Sequence, residues 1–251
     1  ALNTLRQHKK KIVLLSNTPK LPKYSAVDLR AMNIEDDLYD GLITAGFATH
    51  TALKDKQDDL HKSCGKACWF MGPESMQGMT EGLDLEFHEG PETASFILNA
   101  MPGSEGEAFD EIEDKLKAAA SRDIPMICAN PDMVVNIADK QFKCAGTFAK
   151  IYEDLGGRVA YHGKPYGSVY KMACDSLGIS DKSKIVAVGD SLHTDIQGAN
   201  NFGIDCIFNL VGIHRDEVLL DNRSDIDMDK VQLVLNNQPF KPKAVMAGLE
   251  W

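Results

Sequence analysis

The sequence predicts an α/β protein in which a doubly wound, Rossmann-like parallel sheet is interrupted by an inserted domain with its own strands and helices. Two observations support this fold class. Short β-branched runs alternate with segments of helical periodicity, which is typical of βα units and a parallel sheet. Between the two halves of that pattern, residues 47–157 form a block large enough to have its own core. We therefore expect a core domain of residues 1–46 and 158–251 and an inserted domain of residues 47–157.

Each element of the core domain follows from a local pattern. Short apolar runs bounded by turn residues predict strands, and longer runs with a period near 3.6 predict helices. The predicted strands are Lys11–Ser16, Gly41–Thr44, Val159–His162, Lys184–Val188 and Asp205–Leu210, and the predicted helices are Tyr24–Met32, Ser168–Leu177 and Ser191–Asn201. We expect these strands to form one sheet.

The inserted block repeats the alternation of strands and helices between Gly-, Pro- and acid-rich loops. Its predicted strands are Ala67–Met71, Ser95–Asn99 and Pro125–Cys128, and its predicted helices are Ala108–Ser121 and Gly146–Leu155. Because a structureless loop of this length is uncommon in a compact protein, we interpret the block as a domain.

The composition narrows the classes of function. With a net charge of -10, the chain lacks the basic character that binding to nucleic acids or anionic membranes requires. No apolar run approaches the roughly 18 residues of a membrane helix. The six cysteines lie mostly within apolar runs, which is typical of reduced cysteines in a cytoplasmic protein. His61, Cys64 and Cys68 could form half of a zinc site, but no second Cys/His pair lies at the required spacing.

Polar and charged residues follow three of the predicted core strands. Ser16 and Asn17 end the first strand, Lys164 follows the third, and Asp190 and Asp195 follow the fourth. In this class of fold, ligands bind where the carboxyl ends of parallel strands meet. Paired carboxylates there suit a hard cation such as Mg²⁺, and a hydroxyl with an ammonium group suits a phosphate. Each signal alone also has an ordinary explanation as a turn, a helix cap or a solvated lysine.

The order of these signals resembles the haloacid-dehalogenase (HAD) superfamily, specifically its class IIA phosphatases, which carry an inserted C2-type α/β cap. A hydroxyl after one strand is followed by an inserted block, by Gly163-Lys164-Pro165 and by Gly-Asp-x-x-x-x-Asp from Gly189 to Asp195. Asn130-Pro131-Asp132 in the block is similar to the Asn-Pro-Asp segment of these caps. The resemblance covers nearly the whole chain and includes enzymes that act on p-nitrophenyl phosphate, nucleotides and sugar phosphates.

The resemblance implies a phosphatase for small phosphomonoesters that uses Mg²⁺. Ser16 corresponds to the second family motif and Lys164 to the third, and both would hold phosphoryl oxygens. Asp190 and Asp195 correspond to the fourth motif, as catalytic acids and metal-site residues. In that role Asp195 would fix Lys164 or the outer shell of the metal.

The inserted block would supply residues that recognise the substrate. Asn17 next to Ser16, together with Asn130 and Asp132, are our candidates for substrate binding. We expect a small phosphorylated metabolite as the ligand and consider a homodimer as the assembly.

The sequence departs from the family at the first motif. The motif Asp-x-Asp-Gly provides the family's nucleophile and its acid/base, and it does not occur near residue 1. The chain opens in a helical pattern without a cap, so we expect the motif on a strand about 20 residues upstream. Without it, residues 1–251 are expected to be impaired in phosphatase activity.

Two other functions stay open from the residues alone. Gly-Asp-Ser-Leu at 189–192 matches the signature of a group of serine esterases, with Ser191 as nucleophile. That signature belongs near the start of those chains, and the partner motif Asp-x-x-His, found here from Asp58 to His61, should follow it rather than precede it. The other alternative is a non-catalytic HAD remnant that binds phosphorylated compounds without hydrolysing them.

Overall fold

Helices and strands alternate along the whole of the computed structural model, which describes residues 1–100, 109–137, 140–220 and 225–249. The helices are α1 (Leu2–Gln7), α2 (Pro22–Ala31), α3 (Ala45–Asp55), α4 (Asp59–Ser63), α5 (Phe109–Ser121), α6 (Ala145–Asp154), α7 (Gly167–Leu177), α8 (Gln197–Phe202), α9 (Arg215–Val218) and α10 (Met228–Asn236). The strands are β1 (Val13–Ser16), β2 (Gly41–Thr44), β3 (Ala67–Met71), β4 (Glu86–His88), β5 (Phe96–Asn99), β6 (Met126–Cys128), β7 (Val134–Ile137), β8 (Lys140–Lys143), β9 (Val159–Tyr161), β10 (Val186–Gly189), β11 (Asp205–Asn209) and β12 (Ala244–Met246). The predicted α/β class is confirmed.

The described residues form two compact units. The smaller unit comprises residues 1–13, 37–41 and the described residues from 164 onward, and the larger unit comprises residues 14–36 and those described between 42 and 163. The domain boundaries expected from the sequence, after residues 46 and 157, stay a prediction.

The larger unit is built on a five-stranded sheet in the order β4-β3-β5-β6-β9, with every neighbouring pair parallel. Its central strands β3, β5 and β6 are largely buried, as expected for a parallel sheet with both faces covered. On β5, Ile97 packs with residues of α5 and α6 on one face, whereas Phe96 and Leu98 pack on the other face with Leu53 of α3. This alternation places two apolar clusters on opposite sides of the sheet. The strands and helices predicted for the inserted block are therefore confirmed where they are described.

One predicted strand lies in a different sheet from the one we expected. We assigned Val159–His162 to the same sheet as the strands near 186 and 205, but β9 pairs with β6 in the five-stranded sheet. The pattern of a short apolar strand shows that it is buried, but it does not specify its neighbour. Among the described residues, β1 and β2 likewise form a separate two-stranded sheet, so the predicted core strands are distributed over three sheets.

The smaller unit contains a parallel three-stranded sheet in the order β10-β11-β12. Cys206 and Phe208 of β11 are buried on one of its faces. Val186 and Val188 of β10 are 54% and 44% exposed, although the strand is apolar. Within the described part of this unit, β10 has β11 as its only neighbour, so its other edge is open.

The segment that follows β10 is helical, as predicted, but it begins with a π-helical turn. This turn covers Leu192–Ile196, and α8 continues from it. Such wide turns are frequent at functional sites. The spacing of apolar residues does not distinguish a π-helical turn from an α-helical one.

The loop after β1 is held against the first turn of α3 in the larger unit. The Gly46 amide donates to the Thr18 carbonyl oxygen at 3.1 Å, and Thr44 Oγ1 donates to the Lys20 carbonyl oxygen at 2.6 Å. A Cβ atom on Gly46 would lie 2.6 Å from the Lys20 carbonyl oxygen and closer still to that of Pro19. Glycine at position 46 therefore permits this close approach.

None of the helices in the described ranges combines the length and the apolar character needed to cross a lipid bilayer.

Replacing Gly46 by alanine should destabilise the protein. The new methyl group would meet backbone atoms that cannot rotate away, and overpacking of this kind costs about 1–3 kcal/mol in the free energy of unfolding. Gly167, at the start of α7, is a matched control because its Cβ would have a nearest neighbour at 3.9 Å. Urea unfolding should show a loss for G46A and no loss for G167A. Equal stabilities of the two variants would contradict the proposed close approach.

Candidate active site

The predicted site residues Lys164 and Asp195 form an ion pair in the smaller unit. Lys164 Nζ lies 2.7 Å from Asp195 Oδ1, and the side chains are only 15% and 12% exposed. The second carboxylate oxygen of Asp195 accepts a hydrogen bond from the Ser191 amide at 3.1 Å. Both oxygens of Asp195 are therefore engaged. This geometry favours a role in fixing Lys164 over direct metal binding, although the predicted metal role of Asp195 is untested.

Asp190, the second predicted acid, is held differently. Its Oδ2 accepts a hydrogen bond from the Ile213 amide at 3.0 Å. No other hydrogen bond to this carboxylate occurs within the described part of the smaller unit. Oδ1 is thus able to accept from, or bind to, a further group.

Two glycines allow these carboxylates to lie close to the backbone. A Cβ atom on Gly189, the last residue of β10, would overlap with the side chain of Asp195. A Cβ atom on Gly212, in the loop after β11, would overlap with the side chain of Asp190. Each acid is therefore packed against a position where a side chain would displace it.

Asp190 fits one position in the coordination of a Mg²⁺ ion. Mg²⁺ is usually held by one or two carboxylates, with water and substrate phosphate oxygens completing its octahedron. The described residues contain no cluster of three or more His, Cys, Asp or Glu side chains that could hold a metal. A Mg²⁺ ion bound here would thus rely on Asp190 Oδ1 together with water and phosphate oxygens.

The remaining predicted site residues lie in the larger unit, at the ends of β1 and β6. Asn17 Nδ2 donates to Asp132 Oδ1 at 2.9 Å, and the Asp132 amide donates to Asn130 Oδ1 at 3.1 Å. Ser16 Oγ accepts from the Thr18 amide at 3.2 Å. Asn17 and Asn130 are buried. The structure therefore brings Asn17, Asn130 and Asp132 together, as one hydrogen-bonded group beside the strand end that carries Ser16.

Gly163 contributes to this group. Its φ is 123°, a value that favours glycine, and a Cβ atom would lie 2.8 Å from Asn17 Oδ1 and 2.7 Å from Pro131 Cδ. The glycine of the Gly-Lys-Pro motif is thus required by the approach of the two loops that carry Asn17 and Asn130.

The structure also shows functional candidates that the sequence reasoning missed. Ile213 and His214, in the loop after β11, contact Asp190 and the Leu192 amide respectively. Tyr170 Oη donates to the Asp195 carbonyl oxygen at 3.2 Å, and burial raises the pKa of this hydroxyl. The available signal was the position of Gly-Ile-His directly after a predicted strand, at the edge of the sheet where ligands bind.

A buried histidine pair in the larger unit argues against two alternatives raised by the sequence, the zinc site and the serine esterase. His61 Nδ1 lies 2.7 Å from Asp58 Oδ1, and His61 Nε2 lies 2.9 Å from His162 Nε2. Both ring nitrogens of His61 are therefore engaged, which leaves neither for the zinc site considered with Cys64 and Cys68. The same geometry disfavours the esterase alternative, because the nitrogen that would accept a serine proton is bonded to His162.

The cysteines are unpaired, as expected. All six are free thiols, and Cys174 is the one that is not fully buried. Burial raises the pKa of Cys64 to about 11 and that of Cys128 to about 12. These thiols are therefore protonated core residues at neutral pH.

Comparisons with known proteins agree with the resemblance drawn from the motifs. Residues 161–236 match the model of the HAD-hydrolase-like family. This segment contains Lys164, Asp190 and Asp195. The family match therefore covers the part of the chain that forms the ion pair.

Similar proteins include one hydrolase and two phosphatases. A haloacid dehalogenase-like hydrolase from Brucella suis 1330 is 28% identical, with a TM-score of 0.81, over 100% of this chain and 87% of its own. A p-nitrophenyl phosphatase from Archaeoglobus fulgidus has the same fold, with 20% identity and a TM-score of 0.73, over 99% of this chain and 87% of its own. The acid sugar phosphatase of Staphylococcus haemolyticus (strain JCSC1435) is 24% identical over 83% of this chain and 75% of its own length.

The histidine pair predicts a loss of stability in acid. Burial, followed by the neighbouring His61, lowers the pKa of His162 from 6.5 to about 4. Between pH 6.5 and 4, the unfolded chain binds a proton that the folded chain does not, so the free energy of unfolding falls as the pH falls. At about 1.4 kcal/mol per pH unit, the loss is roughly 3 kcal/mol across this window.

Urea unfolding of wild type and His162→Asn at pH 7 and at pH 4.5 measures this effect. The wild type should lose more stability on acidification than H162N, which lacks the titrating group. His193→Asn, a change at an exposed histidine, is the matched control and should follow the wild type. An identical pH dependence of wild type and H162N would contradict the assignment.

Proposed function

We propose that this chain, a haloacid-dehalogenase-like hydrolase, acts on small phosphomonoesters such as sugar phosphates, nucleotides or p-nitrophenyl phosphate. The observation that carries the proposal is the largely desolvated Lys164–Asp195 ion pair, whose aspartate lies on the turn that follows Asp190 and β10. A lysine held by a carboxylate keeps its charge in a fixed position, as the recognition of a phosphoryl group requires. The similarity to the acid sugar phosphatase and the p-nitrophenyl phosphatase supports this substrate class.

Lys164 has the central role in phosphate binding. Its ammonium group donates to Asp195 Oδ1 at 2.7 Å, which fixes the position of the positive charge. The charge of Lys164 stabilises the negative oxygens of the phosphoryl group during transfer. By resemblance, the Ser16 hydroxyl is a further donor to a phosphoryl oxygen.

The loops of the larger unit recognise the rest of the substrate. Asn130 and Asp132 provide an amide and a carboxylate beside Asn17, and these groups suit the hydroxyls of a sugar or nucleoside. Asn17 donates to the Asp132 carboxylate and Asn130 Oδ1 accepts from the Asp132 backbone amide, so the orientation of these side chains is set before the substrate binds.

Mg²⁺, when bound at Asp190, supplies positive charge that offsets the repulsion between an anionic nucleophile and the phosphate. By resemblance, a carboxylate attacks phosphorus and displaces the alcohol, which takes a proton from a second acid, and water then hydrolyses the acyl phosphate. Both acids belong to the motif Asp-x-Asp-Gly, which residues 1–251 do not contain. The open edge of β10, with Val186 and Val188 exposed, is suited to pairing with a strand that carries this motif.

We further propose a cytoplasmic protein whose partner is a small phosphorylated metabolite and which assembles as a homodimer. The free thiols support the cytoplasmic assignment, and the fixed charge of Lys164 supports an anionic metabolite as the partner. The net charge of -10 argues against nucleic acids and anionic membrane surfaces as partners.

Changing Lys164 to glutamine should weaken phosphate binding. The amide keeps a donor for Asp195 but removes the charge, so the Kd for inorganic phosphate measured by titration calorimetry should rise about 10-fold or more. Lys171→Gln is the matched control, since Lys171 also pairs with an aspartate, Asp175, but is exposed on α7. If K164Q and K171Q bind phosphate equally well, Lys164 has no role in phosphate recognition.

Residues 1–251 alone should show negligible turnover of p-nitrophenyl phosphate. Removal of a nucleophile can reduce turnover by about a million-fold. A version extended at its N-terminus by a strand with Asp-x-Asp-Gly should release phosphate, and the same extension with Asn in place of the first Asp should not.

Robust metal-dependent phosphate release by residues 1–251 would contradict this account of the nucleophile. Hydrolysis of p-nitrophenyl acetate that is lost in Ser191→Ala would instead support the serine esterase. Phosphate binding without turnover in every version would support the non-catalytic alternative.

A further inference from the structure

The loop after β11 in the smaller unit contacts Asp190 and the turn that leads to Asp195 through groups to which no role has yet been assigned. Its backbone amide at Ile213 binds Asp190 Oδ2 at 3.0 Å, and the next residue, His214, contacts the turn that leads to Asp195. The ring of His214 packs edge-on against Phe208 of β11, with a centroid distance of 5.8 Å. The imidazole is therefore fixed by packing as well as by hydrogen bonds.

The tautomer of His214 follows from its two partners. The Leu192 amide, which can only donate, lies 3.3 Å from Nε2, so Nε2 must accept and carry no proton. The proton of the neutral ring is then on Nδ1, which lies 2.7 Å from Glu217 Oε1 and donates to it. Glu217 thus selects the tautomer that His214 needs in order to accept from Leu192.

The Leu192 amide has few other ways to be satisfied. It begins the π-helical turn Leu192–Ile196, and Ser191 at the N-cap position makes no side-chain hydrogen bond to that turn. Leu192 is fully buried. An unsatisfied buried amide is costly, so the turn would rearrange to find an acceptor if His214 were removed. The carboxylate of Asp195, which already accepts from the Ser191 amide, is on the same turn.

We propose that His214, oriented by Glu217, is a positioning residue that holds the Ser191–Leu192 turn so that Asp190 keeps one oxygen for a divalent cation while Asp195 stays paired with Lys164. This inference rests on the proposed function, because it assigns a metal-binding role to Asp190. It adds a histidine–carboxylate pair that acts on the site through the backbone without touching the metal or the substrate. Partners of this kind typically change metal affinity by about 10- to 100-fold.

The test compares variants of His214 that keep or remove the acceptor. His214→Gln places an amide oxygen near the position of Nε2, whereas His214→Phe keeps the ring and removes the acceptor. The affinity for Mn²⁺, measured by electron paramagnetic resonance in the presence of inorganic phosphate, should fall about 10-fold in H214F and stay within about 3-fold of wild type in H214Q. His193→Phe, at the exposed neighbouring histidine whose ring centroid is 6.3 Å from that of His214, is the matched control and should bind like wild type.

A second pair of variants keeps the proposal testable if H214F does not fold. Glu217 is exposed, so Glu217→Leu should fold, and it removes the group that selects the tautomer, whereas Glu217→Gln keeps an acceptor oxygen for Nδ1–H. We expect weaker Mn²⁺ binding in E217L than in E217Q. Melting temperatures of all variants show whether a change in affinity merely follows a change in stability.

The outcomes separate this inference from the proposed function. If H214F and E217L bind Mn²⁺ as tightly as wild type and H193F do, His214 is not a positioning residue. The proposed function then stands. If H214Q loses as much affinity as H214F at the same melting temperature, the acceptor is not what matters and the inference is overturned. If wild type itself does not bind Mn²⁺, the metal role of Asp190 in the proposed function fails, and this inference fails with it.

Discussion

The site depends on the largely desolvated ion pair between Lys164 and Asp195 in the smaller unit. Removing two charges from water costs several kcal/mol per ion, and their attraction offsets this only when the geometry is good and the remaining hydrogen-bonding capacity is used. Asp195 meets the second condition, because its other oxygen accepts from the Ser191 amide. Apolar residues of similar volume could fill this space at no greater cost, so stability alone does not explain the pair. A lysine charge fixed by the aspartate that follows β10 has a clear use in binding an anion.

The second constraint is the close packing of site side chains against the backbone, which is possible because glycine occupies the contacted positions. Gly189 allows the side chain of Asp195 to lie against the end of β10, and Gly212 allows Asp190 to approach the loop after β11. In the larger unit, Gly163 does the same for Asn17. At each of these positions a side chain would displace a predicted site residue. Each of these glycines is therefore explained by a close contact inside its own unit.

The sequence was sufficient to locate most of the elements and to name the residues at the strand ends that make up the candidate site, because both depend on local patterns. The bounds of β2 and β3 were predicted exactly, and Lys164 and Asp195 were expected near each other because each follows a strand. Strand neighbours were harder, since β9 pairs with β6 for reasons of packing that its three residues do not encode. His214 was missed for a similar reason. A histidine in a loop shows its role only when its partners, Leu192 and Glu217, are known in space.

The two acids have different environments, and this difference separates their roles better than the motif does. Asp195 uses both oxygens within the protein, on Lys164 and on the Ser191 amide, so a cation bound directly to it would be repelled by the neighbouring Lys164 charge. Asp190 uses one oxygen, on the Ile213 amide, which orients the carboxylate without consuming its second oxygen. Because the Ile213 amide already orients this carboxylate, binding of a cation to Oδ1 costs little side-chain entropy. The backbone amide of Ile213 and the acceptor nitrogen of His214 therefore lie in a single loop that contacts both Asp190 and the Ser191–Leu192 turn.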